Sequence, residues 1–455
     1  MQEKYDVVVI GSGLGGLITG ALLSHSGYKT LVVEKMSRIG GRWSTEEYEG
    51  FKLTTGTITM HYKDTEIEAI FKEIGADFEY IDVPRLFYRI KGKDYEMPPK
   101  GAFGMWLDIV NKLEEDRVKL TGGLAKAVAK EKILSAWKHG AREPEKEAGR
   151  TFRQWLLQYT DNKLTHSLFD CLTCIFGGHS YEQPATTLFT YMVASKGLRE
   201  MVIPPRGHIA NAENLAKVIG ANGDVWVNCP AKRIVVRGKE AKGVAVQRNG
   251  GEVEIACQVV VSDIGPKATV ELVGEENYDE EYLRTMRLRL TPLPTIMCFV
   301  TSDRPLWPEN GESATLQIVG ARRLISIVPF SNISPEYAPA GQYLTFALGM
   351  PQTVYVHMDV EYERQQLLLD LKENLPLFEK HGRVLKWGFK QFDDELPFLR
   401  TWGNEGMPCE TPVRNLYNIG DGVATAPGVG GMIGASESAK TAAGIIKKRF
   451  KPEQA

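Results

Sequence analysis

Gly11, Gly13 and Gly16 stand between an apolar run and a stretch of helical periodicity, and Glu34 closes the next apolar run. The pattern predicts a strand over 5–10, a helix over 14–27 and a second strand over 30–34. A glycine triplet alone serves many ordinary turns. Placed between strand and helix, with an acid after the second strand, each part has a task in binding a dinucleotide. Gly11 permits the tight turn, Gly13 lets the backbone approach a pyrophosphate, and Gly16 lets the helix pack closely on the strand. Amides around Ser12, Leu14 and Gly15 lie at the positive end of the helix dipole, where phosphates are favoured. Glu34, followed by Lys35, can accept from a ribose hydroxyl, and its charge repels a 2′-phosphate.

Further along, Gly40 and Gly41 leave backbone open beside the cofactor, and Arg42 offers a planar fork to a phosphate. Near the other end, residues 416–419 predict a short strand running into Gly420 and Asp421. A glycine-rich turn over 427–434 and a helix to 446 follow. Asp421 is placed for a ribityl hydroxyl or the phosphate region, and amides around Gly430, Gly431, Met432 and Ile433 for the pyrimidine edge of a flavin.

Residues 5–42 and 414–446 resemble the FAD-binding halves of the amine oxidase and phytoene desaturase superfamily. The block from Pro205 to Asp263 resembles the middle segment of the same domain. The resemblance implies backbone contact from Ala231 to the adenine, and a segment under the isoalloxazine that includes Gly50-Phe51 and Gly56-Thr57. Ser262-Asp263-Ile264-Gly265-Pro266, Tyr181-Glu182-Gln183-Pro184-Ala185 and the glycine-rich ending at 426–431 lean toward the phytoene desaturase and retinol saturase branch. Carotenoid desaturases usually carry neutral residues near the position of Asp421, so a carotenoid substrate is not implied. The lysine and aromatic pair that amine oxidases often place at the flavin cannot be assigned from one sequence, and amine chemistry stays open.

The expected fold is α/β: a Rossmann-like FAD domain built on a doubly wound sheet, with an inserted α+β substrate domain. The FAD domain is expected to be discontinuous, over 1–62, 200–285 and 400–455; the insertions are 63–199, mostly helical, and 286–399, strand-rich. A length of 455 residues allows two or three domains. A net charge of −2 gives no reason to expect nucleic acid as a partner, and no apolar run approaches the ~20 residues of a membrane span. Residues 1–5 lead directly into the first strand, leaving no room for a signal peptide, so the cytoplasm is the expected compartment. An apolar helix face around Met105 and Trp106 suits either a core or peripheral membrane contact. Residues 138–150 read as a solvated loop, and the basic run at 447–451 as a helix end. Cys171 and Cys174 form the one close cysteine pair; without a second pair at metal spacing they read as packing, and no metal is expected.

These residues predict an FAD-dependent oxidoreductase that moves hydride between flavin and a C–C bond of an apolar or alicyclic small molecule. An unidentified electron acceptor or donor completes the cycle. Amine oxidation, flavin-dependent isomerisation and non-enzymatic prenyl binding are the alternatives. Prenyl-binding relatives have lost parts of a fingerprint that is whole here. For a catalytic base, His61, Tyr62, Arg85, Tyr337, Arg400 and Trp402 fall in segments suited to a cavity wall, and none is singled out.

Overall fold

The computed structural model describes residues 4–97, 117–136, 149–175, 177–194, 201–290, 292–391, 398–399, 406–425 and 431–453. The apolar helix face expected around Met105 and Trp106, most of the 138–150 loop, Arg400, Trp402 and residues 426–430 lie outside them.

The first strand, β1 (Lys4–Ile10), is buried along all but its first residue. Such a continuous apolar run belongs to a parallel strand covered on both faces. It pairs in parallel with β2 (Thr30–Val33) on one side and with the C-terminal half of Gly251–Ser262 on the other. Helix α1 (Leu14–His25) joins β1 to β2 and is buried on nearly every residue. It is wrapped by the helices His208–Gly220 and Gly431–Arg449. Strand Gly223–Trp226 extends the sheet beyond β2, and Leu416–Asn418 pairs in parallel with the end of Gly251–Ser262. The first half of that long strand turns back in an antiparallel hairpin with Glu240–Arg248, which carries Ala231–Arg237 at the edge.

A second seven-stranded sheet runs in the order Gly382–Lys390, Thr295–Ser302, Tyr343–Gly349, Leu324–Val328, Thr315–Val319, Leu86–Ile90, Lys93–Glu96. Thr295–Ser302, Thr315–Val319, Leu324–Val328 and Tyr343–Gly349 lie in the stretch expected to be strand-rich. Leu86–Ile90 and Lys93–Glu96, together with Ile81–Val83, add strands to the 63–199 insertion, whose other described elements are helices. The pairing of Leu86–Ile90 with Thr315–Val319, and of Ile81–Val83 with Met201–Ile203, joins residues far apart in the chain and carries no local signal. Residues 360–381 carry two helices, Val360–Asn374 and Phe378–His381. Pro376 lies in the break, and a proline disfavours helical backbone in the residue before it.

Both faces of this sheet are covered. Leu367 and Leu371 of Val360–Asn374 pack with Ile296, Cys298 and Leu316 on one side. Leu120, Phe152, Leu168 and Phe189, from four helices, pack with Tyr88, Val319 and Met350 on the other. Among the described residues, no helix is long and apolar enough to cross a membrane.

Candidate functional site

A cavity of about 1000 Å³ opens at the C-terminal ends of β1 and β2 and continues under the second sheet. The open end of a parallel sheet, beyond its strand termini, is where α/β folds bind ligands.

Gly11, Gly13, Leu14 and Gly15 line it at the start of α1, whose N-cap Gly13 makes no side-chain hydrogen bond. Ser12 and Gly16 do not line the cavity but hold its wall in place. The Ser12 N–H and Oγ–H donate to Glu34 Oε2 at 2.9 and 2.6 Å. Met36 N–H donates to Oε1 at 3.0 Å, so the acid is pinned while it faces the cavity beside Lys35. A Cβ on Gly16 would strike the carbonyl oxygen of Gly11, which is why the helix can lie so close to the strand. Gly40 and Gly41, at φ +94° and +55°, form a second turn facing the first, tied to it by Gly40 N–H donating to Ser12 O at 2.8 Å. Gly56 and Thr57 ride on that turn through Thr57 N–H donating to Arg42 O at 2.9 Å. Ala231 reaches the cavity because Cys229 N–H donates to the carbonyl of Glu34 at 2.7 Å.

At the far end, Gly420, Asp421, Gly431, Met432 and Ile433 line the cavity where the C-terminal helix begins. Here the structure redirects two expectations. The Asp421 carboxylate is only 6% exposed; Oδ1 accepts the Gly431 amide at 2.7 Å and Oδ2 pairs with Arg42. The acid therefore ties the glycine turn to the helix start, and one arm of the Arg42 fork is held by Asp421.

The donor set fits FAD. Two facing glycine turns border the cavity with backbone, α1 presents its N-terminus without a side-chain cap, and Lys35 and Arg42 flank them. Glu34 and Ala231 would hold the adenosine, the α1 turn and Arg42 the pyrophosphate, and Gly56-Thr57 with the Gly431–Arg449 helix start the flavin.

In the sequence, Asp263 stood out only as part of a motif. Its carboxylate points into the phosphate turn, and Oδ2 accepts the Gly16 amide at 2.8 Å. Burial raises its pKa to about 7; the Gly16 amide and then Arg42 oppose the shift, while Asp421 and Glu34 add to it.

The other end of the cavity is mainly apolar: Ile58, Met60, Ile175, Met201, Leu293 and Leu348 contribute walls, with Thr187, Thr295 and Tyr191 among the polar groups. Of the base candidates, His61 lines this part. Tyr62 does not: it stacks on Phe78 with ring centroids 3.8 Å apart, and burial lifts its pKa to about 12. Tyr337 is buried elsewhere, donating to Pro204 O at 2.9 Å, and Arg85 is held at the surface by Glu96 and Glu312.

Cys174 also reaches the cavity, and behind it Asp170, Cys174 and His179 bring their ligand atoms within 4.8 Å of one another. These groups bond mainly inward. His179 Nδ1 is 2.8 Å from Asp170 Oδ2, and Nε2 is 2.8 Å from Pro351 O. Ser180 N–H and Oγ–H both donate to Asp170 Oδ1 at 2.7 Å. The network fastens the turn after helix Lys163–Ile175 to the end of strand Tyr343–Gly349.

The fold is shared with a solved oxidoreductase from Methanosarcina mazei, at TM-score 0.80 and 23% identity over 96% of this chain and 99% of that one. Amine oxidase B of Homo sapiens is 34% identical over 105 residues, 23% of this chain and 20% of that protein. A limonene dehydrogenase polypeptide of Castellaniella defragrans is 45% identical over 74 residues, 15% of this chain and 14% of that protein. The chain thus matches a fifth or less of the length of these two relatives. The model of the flavin-containing amine oxidoreductases matches residues 14–447; the chain belongs to that family, and its cofactor is FAD.

Proposed function

We propose that this flavoenzyme oxidises or reduces a C–C bond of an apolar or alicyclic small molecule, in the manner of the phytoene desaturase branch. One observation carries the reading. Among the described residues lining the cavity beyond the cofactor turns, at 58–67, 174–201 and 292–350, none is Asp, Glu, Lys or Arg. Among these described residues an ammonium or carboxylate substrate would meet no opposite charge, the charged lining groups Lys267, Glu271 and Arg287 lying in the 264–290 segment, whereas a hydrocarbon loses nothing by leaving water. The limonene dehydrogenase relative is named for an alicyclic hydrocarbon, in keeping with this. Bound FAD supplies the hydride-accepting centre. The chain's own contribution is to exclude water, to hold the substrate against Ile58, Met60 and Leu348, and to offer His61 as a proton carrier at the wall. The electron partner and peripheral contact with a membrane belong to this proposal as well.

Amine oxidation is the second reading, favoured by the match to amine oxidase B. The purified protein decides between them. Flavin absorbance, released as FAD on acid precipitation, is expected first. Anaerobic bleaching by alicyclic or polyene substrates but not by amines supports the C–C reading. Bleaching by amines alone, with stoichiometric peroxide on admitting oxygen, overturns it in favour of the second.

A further inference from the structure

The carboxylate of Asp263 is set among the groups that would receive the cofactor's diphosphate. It accepts the Gly16 amide, and a Cβ added to Gly13 or Gly420 would strike it; one added to Gly15 would come within 2.7 Å. It therefore stands where the glycine turn before α1 meets Gly420 at the end of Leu416–Asn418. An anion on the α1 amides and a charged Asp263 repel one another at close range in a partly desolvated site.

We propose that Asp263 is a proton-dependent counter-group of the phosphate turn: charged, it lies against Gly13 and Gly15 and repels a diphosphate, and FAD is accepted as Asp263 takes up a proton. This rests on the reading of the cavity as the FAD site.

The surroundings set the direction. Arg42, Asp421 and Glu34 are the charged groups facing Asp263, from the second glycine turn, the C-terminal turn and the end of β2. Two are acids, and the one cation is already paired with Asp421. Burial and these acids hold the carboxyl near a pKa of 7, so it changes charge in the neutral range. A diphosphate adds negative charge and shifts the acid further toward its neutral form. FAD binding then takes up one proton wherever Asp263 is ionised beforehand. Below pH 7 the dissociation constant is level in this respect; above it, the constant rises, at most tenfold per pH unit.

The test is FAD titration of protein stripped of flavin, by quenching of flavin fluorescence between pH 6 and 9. Calorimetry in two buffers of different ionisation enthalpy counts the protons. The expected result is uptake approaching one proton above pH 7, with Asp263→Asn binding FAD nearly independently of pH and more tightly than wild type at pH 8.5. Asparagine keeps the shape and removes the charge. FAD binding with no proton uptake by the wild type, or an Asn variant that retains the wild-type slope, overturns the proposal while leaving the cofactor site intact. No FAD binding at any pH overturns the site reading and this inference together. The wild-type proton count needs no variant, so a misfolded Asn protein leaves the proposal open to refutation.

Discussion

The two seven-stranded sheets use their buried charges in opposite ways. Around the first sheet, Glu34, Asp263 and Asp421 turn their oxygens onto backbone amides at the ends of turns and helices that border the cavity. In the second, Arg323 and Glu363 are each 8% exposed and pair with one another, while Asp370 accepts the amides of Arg323 and Leu324 at 2.6 and 3.0 Å. One set shapes a binding surface; the other fastens a helix to a sheet away from any ligand. Loss of a group from the first set should show in cofactor affinity, and from the second in stability.

Arg323→Met tests the separation hardest. It strands a buried Glu363 and should cost about 3–5 kcal/mol in denaturant unfolding, with the FAD content of the surviving folded protein unchanged. Flavin loss in that folded protein would show the two sheets to be one functional unit. Glu34→Ala removes the acceptor of three bonds and the candidate ribose contact. It should weaken FAD retention on dialysis by about 1.5–3 kcal/mol, and full retention would displace the adenosine from Glu34. Gly16→Ala forces a methyl onto the Gly11 carbonyl and should cost about 1–3 kcal/mol of stability together with flavin loading. A yellow protein of wild-type melting temperature would show that the turn has slack.

The smallest effect is a pH dependence between the sheets. Burial disfavours the His179 charge, but Asp170 outweighs it and raises the His179 pKa; Asp170 itself is lowered by His179 and Ser180 despite burial. The histidine's contribution is complete below its ordinary value of 6.5 and is lost as pH rises through the raised one. That of the aspartate is complete above 3.8 and is lost as pH falls through the lowered one. Melting temperature should therefore fall from pH 6 to 9, and His179→Gln should flatten that slope.

The first strand, the glycine turn, α1 and Glu34 were legible because each depends on near neighbours: an apolar run, a positive φ, a close helix packing. Gly56 and Ala231 came through resemblance and Asp421 from the strand and glycines beside it, and the structure gathers all three at one cavity. Three things were not legible. Strands such as Leu86–Ile90 depend on partners more than two hundred residues away. Tyr62 follows the flavin-side segment in sequence yet turns into the core against Phe78, which only packing decides. Asp263 is one acid in a motif until the fold brings it to the amides of a helix that begins about 250 residues earlier.

Local sequence by itself determined that this chain binds a dinucleotide on a parallel sheet, because backbone sterics and strand periodicity act over a few residues. Only the tertiary structure decided the mainly apolar lining of the cavity's far end and the place of Asp263 beside the α1 glycine turn. Burial and electrostatics depend on what distant segments bring together, and no single segment contains that information.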